Sequence, residues 1–271
     1  MQKFVYLLIL GILLTGCNFP LLQTQVPPDA VATQVAQFLT QTAVAIPPSE
    51  TPSLNQATPT LQATQTITPT ITPIPGDPST SLGNPYWTGG LNSGVAFGLS
   101  TPFSDTNSEI YLQNGKMILT SLIASGWRSW RLTDRGRSDY YIEAFFKTQS
   151  CSGLDQYGLV FRAPDYGSGQ GYYFIATCNG QFGLLKWSSS SQSYILALDT
   201  NSNIVPGSNQ TNKLGVYLKG NSIRLYLNGK QVFETTDATF QSATKLGTFI
   251  AAVSTPGFTV EMSNIQLWNV P

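Results

Sequence analysis

Beyond about residue 84 the chain alternates apolar and polar positions in short runs broken by turn residues. Leu214, Val216 and Leu218 share one side of a predicted strand, with Tyr217 on the other. Ile223, Leu225 and Leu227 repeat the pattern, with Arg224 and Tyr226 opposite. A period of two places successive side chains on opposite faces of a pleated strand. The densest part of the pattern covers residues 156–187, where runs at 157–162, 172–178 and 182–187 predict a three-strand meander. Asn179-Gly180 sits between the last two runs and predicts a two-residue type I′ turn, which needs positive φ at both positions. Asn114-Gly115 and Asn228-Gly229 predict hairpins between runs 109–112 and 116–119 and between 223–227 and 230–234, and Gly220-Asn221 predicts a further turn. Runs at 86–91, 95–99, 127–132, 140–148, 193–198 and 246–253 predict further strands. In the last run, 258–268, Phe258, Val260 and Met262 share one phase and Ile265 and Leu267 the other. A bulge near Ser263-Asn264 reconciles them. No long helical period occurs, so the pattern predicts an all-β fold, a two-sheet antiparallel jelly-roll sandwich.

The chain before this region follows a different pattern. Residues 4–14 form an almost unbroken apolar run after Lys3. A membrane span needs about 20 residues, so the run fits the h-region of a secretory signal instead. Leu14-Thr15-Gly16-Cys17 follows at once and resembles the lipobox of bacterial lipoproteins. That resemblance implies cleavage before Cys17, a diacylglyceryl group on its sulfur and an acyl chain on its new amino terminus; the alternative is a plain signal peptide with an incidental cysteine. Buried acyl chains contribute about 0.8 kcal/mol per CH₂, enough for two or more to hold a protein on a membrane without a transmembrane helix. The expected location is the cell envelope, lipid-anchored on the extracytoplasmic face. Residues 18–83 are Thr, Gln, Pro, Ser and Ala in loose repetition, and 12 of the 17 prolines lie at or before Pro85. Such a segment has too little apolar mass to offset its ordering entropy. Its reach is about 45 Å as a coil and roughly 200 Å as extended polyproline helix. Val31, Val35, Phe38, Leu39 and Thr42 give residues 28–45 a weak amphipathic helical spacing. The predicted organisation is a signal peptide at 1–16, a disordered tether at 17–83 and a β-sandwich domain at 84–271.

Formal net charge is zero and the chain has no histidine. The first excludes nucleic acid as a partner, because phosphate contacts need a basic excess. The second removes the commonest general base and metal ligand. Cys151 and Cys178 are the cysteines left after Cys17. Export to an oxidising compartment makes their disulfide the default, with a pair of buried thiols as the alternative.

The order YGLVFR, YYFIA, GLLKW, NKLGVYLKGNSIRLYLNGKQVF and FTVEMSNIQLW resembles concanavalin A-like lectin/glucanase domains. It is similar to their laminin-G and family 16 glycoside hydrolase branches, over nearly all of residues 84–271. The resemblance implies two curved antiparallel sheets, with the concave face or its rim as the usual carbohydrate site. Family 16 hydrolases carry an E-x-D-x-E strand, because retention needs two carboxyls about 5–5.5 Å apart on one face. Here YYIEAFFK supplies Glu143 alone, so the sequence assigns no catalytic residue and leaves Glu143 as the single candidate. Sugars are held by flat aromatic faces and planar polar groups. The candidates are Arg162, Tyr166, Tyr172, Trp187, Tyr217 and Arg224, against the alternative that the aromatics are core and the arginines solvated. Residues 127–137 add four arginines and two tryptophans, a composition suited to an anionic glycan. Residues 105–109, DTNSE, alternate oxygen ligands as calcium loops do. The run lacks the rest of such a loop, so it predicts a turn, with no cofactor beyond a possible Ca²⁺. The expected function is non-catalytic binding of polysaccharide or cell-surface glycan. The alternatives are a divergent glycoside hydrolase and a protein-binding adhesion module.

Overall fold

The computed structural model describes residues 74–189 and 191–271. The expected signal peptide, Cys17, the helix over 28–45 and the tether up to residue 73 lie outside the described residues. In chain order the strands are β1 Trp87–Thr88, β2 Phe103–Ser104, β3 Ser108–Gln113, β4 Lys116–Ser121, β5 Ser129–Thr133, β6 Tyr140–Thr148, β7 Gln156–Ala163 and β8 Gly171–Thr177. They continue as β9 Gln181–Ser188, β10 Ser191–Thr200, β11 Thr211–Lys219, β12 Ser222–Leu227, β13 Lys230–Thr236, β14 Lys245–Ala251 and β15 Phe258–Asn269. Sheet A is 9-stranded, in the order β13-β12-β11-β6-β15-β4-β3-β2, with β1 also on β15. Sheet B is 6-stranded, in the order β10-β9-β8-β7-β14-β5. All the pairings are antiparallel. The fold is the predicted two-sheet antiparallel jelly-roll sandwich.

Alternation decides which side chains meet between the sheets. Tyr140, Ile142, Ala144 and Phe146 of β6 face inward with Leu214, Val216 and Leu218 of β11. Tyr157, Leu159 and Phe161 of β7 and Tyr172, Phe174 and Ala176 of β8 meet them from sheet B. Burying each large aliphatic or aromatic side chain contributes about 1.5–3 kcal/mol. Asn212, a buried amide on β11, is satisfied: Nδ2 donates to Tyr157 Oη and Val205 O, and Oδ1 accepts from Val205 N.

The turn chemistry follows the sequence at two hairpins. Asn114 and Gly115 have φ of 51° and 72°, and Asn228 and Gly229 have 48° and 82°. At Asn179-Gly180 it differs, since only Gly180 is left-handed, at φ 84°. Cys178 has left the ladder: its N–H donates to Asp155 O and its sulfur bonds Cys151, at a Cα–Cα distance of 5.4 Å. The predicted disulfide is therefore formed, and it converts a two-residue hairpin into a three-residue one with a left-handed glycine at its end. The predicted bulge in β15 is present, as a register shift between Ser263 and Gln266 with Asn264 at φ 50°. The strand predicted at 95–99 is instead a 3-10 turn, Val95–Phe97, because Gly94 and Gly98 on either side are both left-handed. Asp155 is fully buried, and its Oδ1 accepts three backbone N–H groups, from Val253, Ser254 and Thr255, at 2.8, 2.6 and 3.0 Å. It ties the loop before β7 to the connection between β14 and β15.

Composition assigns residues 74–83 to the tether, but the structure places them against sheet A. Asp77 is only 4% exposed and caps a 3-10 turn, Pro78–Thr80, through Ser79 N–H. Leu82 packs beside Trp268, whose indole N–H donates to Gly83 O. Packed structure thus begins upstream of the expected boundary at 84, held by a carboxylate whose partner, Lys213, lies far along the chain.

Candidate functional site

The outer face of sheet B carries a second apolar layer. Val160, Tyr173, Ile175, Leu185 and Phe249 are buried there, although they point away from the main core. Trp130 and Trp187 are half-buried against them. Trp187 sits edge-on to Trp130, with centroids 5.8 Å apart, and tilted over Tyr173 at 6.1 Å. Arg128, just before β5, donates from Nη1 to Gln192 Oε1 on β10 at 2.8 Å and from Nη2 to Gln156 Oε1 at 3.0 Å. Strands β5 and β10 are opposite edges of the sheet. In a flat sheet of six strands at about 4.8 Å those edges stand roughly 24 Å apart, beyond the joint reach of one arginine and one glutamine side chain. Sheet B therefore curls toward this side, and its outer face is concave. Much of that face is filled by its own side chains, and Arg128 spans what remains. Burial pulls the Arg128 guanidinium below its ordinary value, with Tyr194 and Tyr173 opposing the shift.

The open part of the site is the rim along β5. A hollow of about 430 Å³ is lined by Val95, Phe97, Trp130, Arg131, Leu132 and Tyr166. A smaller one of about 150 Å³ shares Trp130 and Arg131 and adds Phe103, Asp105, Trp127 and Arg128. Arg131 lies 3.8 Å over the Phe103 ring, and burial lowers its pKa against the pull of Asp105. Tyr166 is 53% exposed on a stitched loop. Asp165 Oδ1 accepts from Gly167 N and Ser168 N, Oδ2 accepts from Ser168 Oγ, and Trp130 Nε1 donates to Tyr166 O at 2.9 Å. The Ser168 hydrogen bonds hold the Asp165 carboxyl below its ordinary pKa. Gly169 is left-handed at φ 74°, and a Cβ there would stand 2.8 Å from Trp187. Only glycine lets the loop close over the two indoles.

The sequence candidates divide among three places. Tyr166 lines this rim, and Trp187 packs beside it against Trp130. Tyr217 and Arg224 lie together on the outer face of sheet A, with Arg224 5.4 Å over the Tyr217 ring and paired to Glu234 at 2.9 Å. Arg162 and Tyr172 are both 0% exposed, so neither is presented to a ligand. Arg162 stands at φ 49° in a bulge where β7 slips register against β14. The slip reverses the alternation, so Ala163 faces the concave side and Arg162 faces sheet A, donating to Ser138 O and Gly220 O. Tyr172 donates to Asp237 Oδ1 at 2.6 Å, beside the Lys186–Asp237 pair at 2.7 Å. Burial opposes ionisation of Asp237, yet the bonds from Lys186, Thr239 and Tyr172 outweigh it and depress its pKa. Trp130, Arg128 and Arg131 complete the rim. They belong to the basic, Trp-containing stretch at 127–137 that composition suits to an anionic glycan.

Glu143 points to the outer face of sheet A, as its strand phase predicts, but it is 4% exposed rather than solvated. Its Oε2 accepts from Tyr141 Oη at 2.9 Å and from Lys213 Nζ at 3.0 Å. Lys213 also donates to Asp77 Oδ2. Burial disfavours the ammonium, but these two carboxylates overcome it and raise the Lys213 pKa. Tyr141 reaches Glu143 by lying across Gly215, where a Cβ would come within 2.4 Å of its hydroxyl. In the 105–109 run, Asp105 Oδ1 accepts from Asn107 N and Ser108 N, which makes it a turn. No cluster of three or more His, Cys, Asp or Glu side chains suited to a metal occurs among the described residues. No helix among them is long and apolar enough to cross a membrane.

No protein-family model matches the sequence, and no curated protein is similar to it. Solved structures do resemble its fold. Carbohydrate-binding module CBM66 from Bacillus subtilis is 16% identical, with a TM-score of 0.42 over 62% of this chain and 91% of that one. The carbohydrate recognition domain of Emp46p, in its metal-free form, is 15% identical, with a TM-score of 0.45 over 60% of this chain and 87% of that one. Xylan beta-1,4-xylosidase from Bacillus halodurans C-125 is 13% identical, with a TM-score of 0.46 over 67% of this chain and 39% of that one. At these identities the likeness is one of fold alone.

Proposed function

We propose that the chain is an extracytoplasmic lipoprotein, anchored through Cys17, that presents a non-catalytic glycan-binding β-sandwich. The observation that carries the binding reading is the rim of sheet B. Trp130 and Tyr166 line its open hollow, with Trp187 edge-on to Trp130, Lys245 Nζ 5.0 Å over the Tyr166 ring, and the planar donors of Arg128 and Arg131 beside them. Indole and phenol faces stack under sugar C–H groups, and guanidinium forks grip oxygen pairs. Neither arginine forms an ion pair among the described residues. The ligand that completes their charge is acidic, a polysaccharide bearing carboxylate or sulfate. The non-catalytic reading is supported by Lys213, whose ammonium is paired to Glu143, the single carboxylate candidate, at 3.0 Å. The test is retention of the full-length protein on affinity gels of acidic and neutral polysaccharides, in low and high salt. Retention on an acidic polymer that weakens with salt supports the proposal, since screening shortens the reach of exposed charge. Passage through every gel without delay overturns it. Incorporation of an alkyne fatty acid, abolished by Cys17→Ser, tests the anchor.

A further inference from the structure

The outer face of sheet A holds a hollow of about 600 Å³ between residues 74–80 and strands β6, β11 and β15. We infer that it is a second, chemically distinct sugar site, which takes a single neutral pyranose.

A purely structural ion cluster spends its polar atoms on itself. This one does not. Glu143 directs both of its hydrogen bonds to Oε2, and among the described residues Oε1 accepts none. Gln266 stands directly across the ladder from Glu143, on β15. The half-buried amide of Gln266 and the exposed amide of Asn264 make no hydrogen bond among the described residues, and both line the hollow. The β15 bulge, with Asn264 at φ 50°, sets that amide beside Gln266 on the same wall. Lys213 donates to two carboxylates and keeps a third N–H. The ring of Phe145 and the side chain of Ile74 supply the apolar walls.

A carboxylate that accepts, amides that both donate and accept, and one aromatic face are the groups that hold adjacent ring hydroxyls and the C–H face beneath them. The charge selects among sugars. Asp77 and Glu143 against Lys213 leave the cluster net negative, which repels the uronate or sulfate proposed for the rim of sheet B. The two faces of the sandwich therefore prefer different ligands, and one molecule can hold a neutral sugar end and an acidic polymer together. Joining two modest sites this way raises overall avidity without any new contact.

The experiment titrates the full-length protein with methyl glycosides of glucose, galactose, mannose and N-acetylglucosamine. Binding is followed by calorimetry and by the side-chain amide NMR signals of Asn264 and Gln266. At least one glycoside should shift both signals, and Gln266→Ala should weaken it at least tenfold. Gln266 makes no side-chain bond among the described residues, so its truncation leaves the fold intact, as a thermal melt will show; Glu143→Gln is the second variant. Saturating acidic polysaccharide should leave the bound glycoside in place. Three results overturn the inference: no movement of either amide with any of the four glycosides, undiminished affinity in a folded Gln266→Ala protein, or displacement by the acidic polymer. None of them touches salt-dependent retention on acidic gels, so the two proposals fail separately.

Discussion

Replacing Lys213 with methionine removes the one cation among the described residues that pairs with Asp77 and Glu143. Both carboxylates stay buried, with side-chain exposures of 4% and 6%. Their distances to the shared nitrogen, 2.5 and 3.0 Å, place the two oxygens no more than about 5.5 Å apart. At an effective dielectric constant of about 20, two unit charges at that separation repel by about 3 kcal/mol. Breaking a buried pair by deleting one partner costs about 3–5 kcal/mol, most of it the penalty on the charge left behind. Lys213→Met should therefore lower unfolding free energy by about 3–5 kcal/mol, and repulsion should be a large part of the loss. Adding Glu143→Gln separates the parts. It removes one negative charge and keeps an oxygen to accept from Tyr141, so the double variant should regain about 2 kcal/mol over Lys213→Met alone. Urea melts of the parent, both single variants and the double variant close the cycle. A double variant no more stable than Lys213→Met, or a single loss below about 1 kcal/mol, would mean that water screens the cluster and that residues 74–83 are held by other contacts.

Trp187→Ala should weaken acidic-glycan binding about tenfold to a hundredfold, or 1.4–2.8 kcal/mol, while Trp187→Phe keeps most of it; isothermal titration against the retained polymer reads the difference, and equal affinity in all three proteins would remove Trp187 from the site. Reducing Cys151–Cys178 opens a loop with a sequence separation of 27 and should cost about 3.6 kcal/mol in the chain-entropy account; a thermal melt unchanged by reductant would contradict that. Stability should also fall at both pH extremes. Asp155 and Asp237 have depressed folded-state pKa values, so their contribution is present above the ordinary carboxylate range near 3.9 and is lost as pH drops below it. The Lys213 value is raised, so its contribution is full below about 10.4 and is lost as pH climbs past it. Denaturant midpoints from pH 2 to 11 should trace both losses, and a profile flat below pH 4 would show that these carboxylates gain nothing on folding.

Much of the framework is legible in the chain because period-two patterning and Asn-Gly turns are local signals. The β6 limits, the hairpins at Asn114-Gly115 and Asn228-Gly229, and the phase change in β15 all follow from neighbouring residues. The misreadings arise where distant contacts override local grammar. Arg162 counts as outward by alternation, but a bulge opposite β14 turns it inward, and no signal within β7 announces that slip. Asp77 lies in a stretch whose composition argues for disorder, and only Lys213, remote in sequence, draws it into the fold. The rim is harder still. Tyr166 and Trp187 are visible as exposed or strand-end aromatics, but their meeting with Trp130 depends on sheet B curling and on a loop glycine that admits two indoles. Tyr172 illustrates the converse: its run is dense in aromatics on both faces, so sequence alone does not say which ring is core.

The strand farthest along the chain, β15, lies in the interior of sheet A, between β6 and β4, and also receives β1 through Leu267 and Trp87. Until Phe258–Asn269 has been made, β4 and β6 flank an empty slot and each shows an unpaired edge. Ladders between such distant segments form slowly, because the intervening chain must first be ordered. Sheet A must therefore wait for β15, and in the meantime the open edges are exposed to any other unfinished copy nearby.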